Sequence, residues 1–193
     1  MNYEQSICPT GHQIIGRRLG NLKLVLPTRH FPDFVWTVLG DCVATDRVLT
    51  LFVQNGLTGF RKRPATIEEV KRLRRGDSFS VPKVWELEAV GKGGDAHPDS
   101  GIKLLHICTG CGARYHSSFK SGIIVDETQW DGSDFFTISG YPAFILITER
   151  VKNLITDHGL TNCGIFKSQD LKWGDTPRPE DHPEESLPRK AVN

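Results

Sequence analysis

The chain has 193 residues, 38% of them hydrophobic and 24% charged, with a formal net charge of +1. A chain of this size buries a core without disulfide or metal staples, and its balanced charge gives the whole molecule no bias toward nucleic acid or a membrane surface. Its longest apolar runs, such as 143–147, fall far short of the ~20 residues of a membrane span, and its first residues are polar where a secretory leader needs an apolar core, so the expectation is a cytoplasmic protein.

Cys8-Pro-Thr-Gly-His12 is the first element with chemistry in it. β-Branched and aromatic residues then predict strands over 22–26 and 34–39. Residues 46–55 read as a helix. Thr45 stands at the N-cap, Asp46 faces the positive end of the dipole, and Val48, Leu51 and Phe52 form one apolar stripe. Gly56 supplies the left-handed residue that ends the helix, and Leu57 folds back after it. The i, i+3, i+6 spacing of Ile67, Val70 and Leu73 predicts a short helix over 66–74. That segment lies in a basic stretch, Arg61-Lys-Arg63 and Lys71-Arg-Leu-Arg-Arg75, tempered by Glu68 and Glu69. Strands are predicted over 78–81 and 84–90, followed by a glycine-rich connecting loop over 91–101. This loop is not a phosphate cradle, which needs Gly-Lys-Ser/Thr opening a helix.

Beyond the loop, strands are predicted over 102–107, 123–125, 135–139 and 144–147, the last two separated by Gly140-Tyr-Pro142. Residues 149–158 form a second helix, with Thr148 at its N-cap, Glu149 in its first turn, Val151, Leu154 and Ile155 on its apolar stripe, and Gly159 then Leu160 at its end. From Gly174 onward, prolines alternate with charges and predict a disordered tail.

The two helices belong to a repeat. Residues 45–58 align without a gap onto 148–161, with Thr45, Arg47, Val48, Leu51, Gly56, Leu57 and Thr58 matched by Thr148, Arg150, Val151, Leu154, Gly159, Leu160 and Thr161. Upstream, Asp33-Phe34 is answered by Asp134-Phe135, and Cys8-Pro-Thr-Gly-His12 by Cys108-Thr-Gly-Cys-Gly112. The expectation is an α+β fold of two repeated strand–helix units, 1–90 and 102–173, with sheets covered by two equivalent helices and room for a zinc-ribbon-like element. The tail is 174–193.

Five cysteines, two of them as Cys-x-x-Cys, suggest thiols and a metal pair rather than a disulfide framework. Cys108 and Cys111 form a knuckle offering two zinc ligands, and Cys8 with His12 would complete four. His106 and His116 are alternative ligands. A metal-free decayed ribbon and a Cys108–Cys111 redox pair stay open, though no thioredoxin-like unit surrounds the pair. Cys42 and Cys163 sit among apolar residues and read as buried structural thiols. Asp126, Glu127, Asp131 and Asp134 flank Trp130, a composition suited to a basic protein partner. No nucleophile–base or catalytic metal motif is present, so neither an enzyme nor a small-molecule substrate is expected.

Asp33-Phe-Val-Trp, Thr45-Asp-Arg-Val and Gly56-Leu-Thr-Gly-Phe60 resemble the first half of the double-CxxCG immunity proteins of the myxobacterial type. Trp130-Asp-Gly-Ser-Asp-Phe135, Gly140-Tyr-Pro142, Thr148-Glu-Arg-Val151 and Gly159-Leu-Thr-Asn162 resemble the second half. The resemblance covers roughly residues 5–173. It implies an antidote that neutralises a cognate toxin by direct binding. Cys108, Cys111 and Gly112 match the second CxxCG motif and Cys8 the first, where Gly11-His12 replaces Cys-Gly. A different class, a zinc-ribbon module binding nucleic acid through 61–75, is the alternative, and the near-neutral total charge argues against it.

Overall fold

The structure is a computed structural model that describes residues 2–38, 40–71 and 80–172. The elements in chain order are β1 (Asn2–Ile7), β2 (Gln13–Leu19), β3 (Leu22–Leu26), β4 (Phe34–Trp36), β5 (Cys42–Thr45), α1 (Asp46–Gln54), β6 (Phe60–Val70), β7 (Val84–Ala89), β8 (Gly91–Lys92), β9 (Leu104–Ile107), β10 (Arg114–His116), β11 (Phe135–Thr137), β12 (Leu146–Ile147) and α2 (Glu149–Asp157). The fold is mixed α+β, mostly strands with two helices. A five-stranded sheet has the order β3-β6-β7-β5-β4, and a three-stranded sheet the order β12-β11-β8. β1–β2 and β9–β10 are separate antiparallel hairpins.

Both helices form where the spacing predicts, nine residues each, and bury Val48, Leu49 and Phe52 from α1 and Val151 and Ile155 from α2. These side chains meet Phe34 and Leu87 from the five-stranded sheet and Phe135 from the three-stranded sheet in a single core. Phe52 is fully buried and sits at its centre, with Phe34, Phe60 and Phe135 around it at 5.2–6.3 Å between ring centroids. Gly56 and Gly159 adopt φ of +61° and +56°, as the helix-ending role requires. The N-cap hydroxyls depart from expectation. Neither Thr45 nor Thr148 caps its helix with its side chain, and the Thr148 hydroxyl instead donates to Asp134 Oδ1 at 2.8 Å.

The predicted helix over 66–74 is not formed where residues are described. Residues 60–70 are one continuous strand, paired with β7 at one end and β3 at the other. Arg63, Ala65 and Ile67 are half-buried while Pro64, Thr66 and Glu68 are exposed, a period of two. The three apolar residues that suggested a helix are too few to outweigh two strand partners, and 72–74 lie outside the described residues. Strand 22–26 is found as predicted. Strand 34–39 stops at Trp36, because Gly40 N–H bonds Thr37 O in a turn. Residues 80 and 81 are not in a strand, and Ser78 and Phe79 lie outside the described residues. In place of a strand over 123–125 there is one bridge, Val125 to Ala96. The connecting segment 91–101 contributes β8, parallel to β11, and a short 3-10 turn at Pro98–Ser100. The residues from 173 onward, and with them the predicted tail, are not among those described.

Candidate metal centre

Cys8, His12, Cys108 and Cys111 come together, their ligand atoms all within 4.8 Å of one another. Cys8 with His12, and Cys108 with Cys111, each sit in the turn at the tip of a hairpin. Cys8 N–H bonds His12 O and Gly11 N–H bonds Cys8 O, both at 2.8 Å, closing the β1–β2 turn. Cys108 N–H bonds Ala113 O and Gly112 N–H bonds Cys108 O, also at 2.8 Å, closing the β9–β10 turn. Gly11 and Gly112 carry the left-handed residue of each turn, with φ of +95° and +75°. The first turn is therefore one residue shorter than the second. Thr10 precedes its left-handed glycine where Cys111 precedes the other, and His12 enters from the start of the next strand.

The spacing of the sulfurs suits a tetrahedral ion. Cys8 Sγ and Cys108 Sγ are 3.6 Å apart, and two thiolates on zinc at about 2.3 Å and tetrahedral angles are about 3.8 Å apart. His12 Nε2 lies 3.3 Å from Cys111 Sγ, while its Nδ1 faces Thr10 Oγ1 at 3.3 Å. One ring nitrogen thus points into the cluster and the other meets a hydrogen-bonding neighbour, the arrangement that orients a metal-bound imidazole. Cys8 and Cys108 are buried and Cys111 is exposed. The Thr10 hydroxyl and the amides of Cys111 and Gly110, all directed at Cys108 Sγ, bring that thiol down to about 6, which favours the thiolate form that binds metal. Cys111 is held down by the Ala113 amide but raised on balance by partial burial and its neighbours Cys108 and Cys8. Four protein ligands leave no open coordination position, so the cluster could hold an ion in a structural role.

The alternative ligands are placed elsewhere. His106 stacks on Tyr115 at 5.9 Å, and buried His116 packs beside Tyr141. Burial pushes the Cys42 thiol up to about 12, with Cys163 nearby adding to the effect, and burial also raises Cys163. Both are thiols rather than nucleophiles at neutral pH.

Asp126 and Asp131 of the acidic stretch around Trp130 accept hydrogen bonds from neighbouring side chains and amides. Asp126 accepts from Thr128 N–H, Thr128 Oγ1 and Gln129 Nε2, contacts that lower its pKa. Asp131 accepts from Ser133 and from Lys92 N–H, and is lowered in the same way. Trp130 is half-buried, donates to Ser133 O and packs on Phe136. Glu127 is exposed. Asp134 is only 4% exposed, which removes it from any surface patch. In the basic stretch, Arg61 pairs with Glu88 and Arg63 approaches Glu86, while Lys62 lies over the Trp85 ring.

Asp134 is instead half of a cross-chain lock that sequence reading missed. Asp134 Oδ2 accepts from Thr58 N–H at 2.9 Å and from Thr58 Oγ1, Phe135 N–H donates to Thr58 O, and Arg150 reaches both Asp134 and Asn55 O. Asp33 Oδ2 accepts from Thr161 N–H at 2.9 Å and from Thr161 Oγ1, Phe34 N–H donates to Thr161 O, and Arg47 reaches both Asp33 and His158 O. The two sets match bond for bond, and each ties one helix end to the other half's strand. The repeated Asp, Arg and Thr residues carried that signal, but their pairing spans 76 and 128 positions.

Arg18 is a second feature the sequence did not disclose. It is buried and paired with both Glu86 and Asp41, fixing the N-terminal hairpin to the five-stranded sheet. A groove of about 690 Å³ also opens beside β12, walled mainly by apolar side chains from 143–149 and 163–169. No helix among the described residues is long and apolar enough to cross a membrane. No protein-family model matches the chain, and no curated protein matches it in sequence.

Proposed function

We propose that this chain is a cytoplasmic immunity protein that neutralises one cognate bacterial toxin by direct protein–protein binding. The observation that carries the reading is where the family-like motif residues lie. Asp33, Arg47 and Thr58, with Asp134, Arg150 and Thr161, are bonded to one another in the cross-chain lock. The string by which the chain resembles immunity proteins is thus spent on scaffold, leaving the rest of the surface free to suit one partner, as specificity by difference demands. In this reading 45–58 and 148–161 descend from one duplicated unit, which accounts for the matched bonds. The Cys8, His12, Cys108 and Cys111 cluster holds one zinc ion that clasps the two hairpins. The partner is a protein rather than nucleic acid, because the arginines of β6 face glutamates of β7.

Co-expression with the toxin encoded beside this chain tests the reading. Cells carrying the toxin survive only when the chain is present, and the two proteins co-purify at a fixed ratio. A folded chain that neither binds nor rescues would sink the proposal.

A further inference from the structure

The groove beside β12 has an internal template. In the first half, β7 lies between β5 and β6, bonded to both. Thr45, at the end of β5, donates its amide to Asp33 O, and the alternation of an antiparallel ladder then turns the neighbouring Ala44 toward β7, where it pairs with Trp85. In the second half, Thr148 donates its amide to Asp134 O in the same way. The same alternation turns the Ile147 amide away from β11. Yet β12 is an edge among the described residues, with β11 as its one strand neighbour.

The other flank corresponds as well. Gly59, with φ of +78°, leads into β6, and Asn162, with φ of +62°, leads into residues 163–172. At the 103-residue offset, 163–168 answer the six β6 residues that pair with β7. The groove is walled by residues 143–149 on one side and 163–169 on the other. It therefore lies between the counterparts of the two strands that enclose β7. The helix end carries a third correspondence. Asp46 receives the Lys83 ammonium at 3.3 Å and the Trp85 indole N–H at 2.6 Å, while its own amide donates to Lys83 O. Its counterpart Glu149 lines the groove, and among the described residues its carboxylate pairs with the exposed Lys152 of the same helix turn.

We propose that this groove takes an extended strand of the partner protein, added antiparallel to β12, apolar on alternate residues and preceded by a lysine or arginine that pairs with Glu149. An exposed ladder edge supplies main-chain hydrogen bonds and the groove walls select the side chains, which is how strand addition combines affinity with specificity. The inference rests on the partner-binding and duplication readings above, and it commits to a segment of another chain.

The probe is a fluorescent nine-residue peptide copying residues 82–90 of this protein, titrated into the full-length chain. It carries the lysine, the tryptophan and the alternation that β7 presents to β5. Saturable binding is expected. A peptide with glutamate at the position of Lys83 binds about fivefold more weakly, the worth of one partly exposed ion pair, and Glu149→Lys abolishes that preference. Phe166→Asp, at a groove-wall ring that is 79% exposed and so not needed for folding, weakens the peptide without lowering thermal stability. In the complex, the Ile147 amide becomes protected from hydrogen exchange. No saturation by about 1 mM peptide, or protection that appears elsewhere, overturns the proposal. So does binding that emerges only after residues 174–193 are deleted, because the chain's own end would then be the occupant. The toxin assay separates the two readings. Peptide binding without rescue by the wild-type chain removes the antidote reading and leaves the strand site. Rescue untouched by Phe166→Asp removes the strand site and leaves the antidote.

Discussion

Replacing Asp134 by alanine tests the cross-chain lock directly. The carboxylate accepts from the Thr58 amide at 2.9 Å, the Thr148 hydroxyl at 2.8 Å and Arg150 at 3.2 Å, and its side chain is 6% exposed. The carboxylate is buried while the residues that donate to it are half-buried or exposed, so water replaces it as their acceptor only in part. A hydrogen bond to a charged group is worth about 1.5–3 kcal/mol, and an orphaned buried donor costs about as much. Arg150 is 57% exposed on its side chain, so its ion pair adds under ~1 kcal/mol. Thr148 can turn its hydroxyl back toward its own helix. The net expectation is a loss of about 3 kcal/mol, carried mainly by the Thr58 amide. Urea unfolding reads this as a midpoint lowered by about 1.5 M at an unchanged slope of about 2 kcal/mol/M. Asp33→Ala should cost a similar amount, since Asp33 serves the equivalent donors of Thr161 and its side chain is 11% exposed. Arg150→Ala should cost about 1 kcal/mol or less. An Asp134→Ala or Asp33→Ala variant within 0.5 kcal/mol of wild type, about the error of such measurements, would show that the matched bonds do not hold the halves together.

Two further outcomes follow from packing and from burial. Gly91→Ala should destabilise the fold by at least ~3 kcal/mol, read by thermal unfolding, because a Cβ there meets Ser133 Oγ at 1.8 Å and Phe135 O at 2.3 Å; Gly101→Ala, with open space around it but φ of +67°, should cost only about 1 kcal/mol. The raised pKa of Cys42 favours the neutral thiol, so its contribution to stability is whole below pH 9 and declines as pH rises from 9 toward about 12. At pH 8 a thiol reagent should leave Cys42 unmodified in native protein and modify it in urea; rapid native labelling, located by peptide mapping, would contradict its burial.

The parts of the fold that were legible in the sequence are the local ones. Both helices were readable because an apolar stripe, an acidic first turn and a following glycine lie within about ten residues of one another. The convergence of Cys8, His12, Cys108 and Cys111 was readable because few residue types bind zinc and two cysteines stood at knuckle spacing. The strand β6 was misread because Ile67 and Val70 fit a helical period while its alternation of half-buried and exposed residues depends on β7 and β3 beside it. The hairpin β1–β2 gave no apolar alternation to read. The carboxylates at 126, 131 and 134 suggested a surface because acid beside aromatic residues suits an interface; Asp126 and Asp131 satisfy turn amides nearby, and Asp134 alone is buried, against Thr58. Thr10 could have been found by allowing a one-residue deletion when aligning Cys8–Gly11 with Cys108–Gly112. The lock could not, since nothing in a sequence announces that Asp33 will meet Thr161 rather than its own Thr58.

The Cys8, His12, Cys108 and Cys111 cluster and the core hold different parts of the chain, and this difference predicts how loss of a metal bound there should act. The hairpin β1–β2 is attached through Arg18, which reaches Glu86 and Asp41, and through the Cys8 and His12 side of the cluster. Among the described residues, neither hairpin supplies a side chain to the central core around Phe52. A chelator should therefore loosen residues 2–19 and 104–116 while α1, α2 and β5–β7 keep their protection, because local opening follows local contacts rather than the global stability. If the cluster holds zinc, its removal at neutral pH leaves the Cys108 thiolate, favoured down to about pH 6, close to the Cys8 sulfur without a cation between them. Its stabilising contribution is present at high pH and is lost as pH falls from 9 to about 6. Hydrogen exchange on chelated and zinc-loaded protein distinguishes the cases, with elemental analysis fixing the ratio at one zinc per chain. If exchange quickens equally across the core helices and the hairpins, the ion supports the whole fold and the division drawn here is wrong. If it quickens nowhere, the four ligands close the two turns without needing a metal. Cys108→Ser adds the internal control: it should abolish zinc retention and reproduce the exchange pattern of the chelated wild type, while Arg18→Met should loosen 2–19 and spare 104–116.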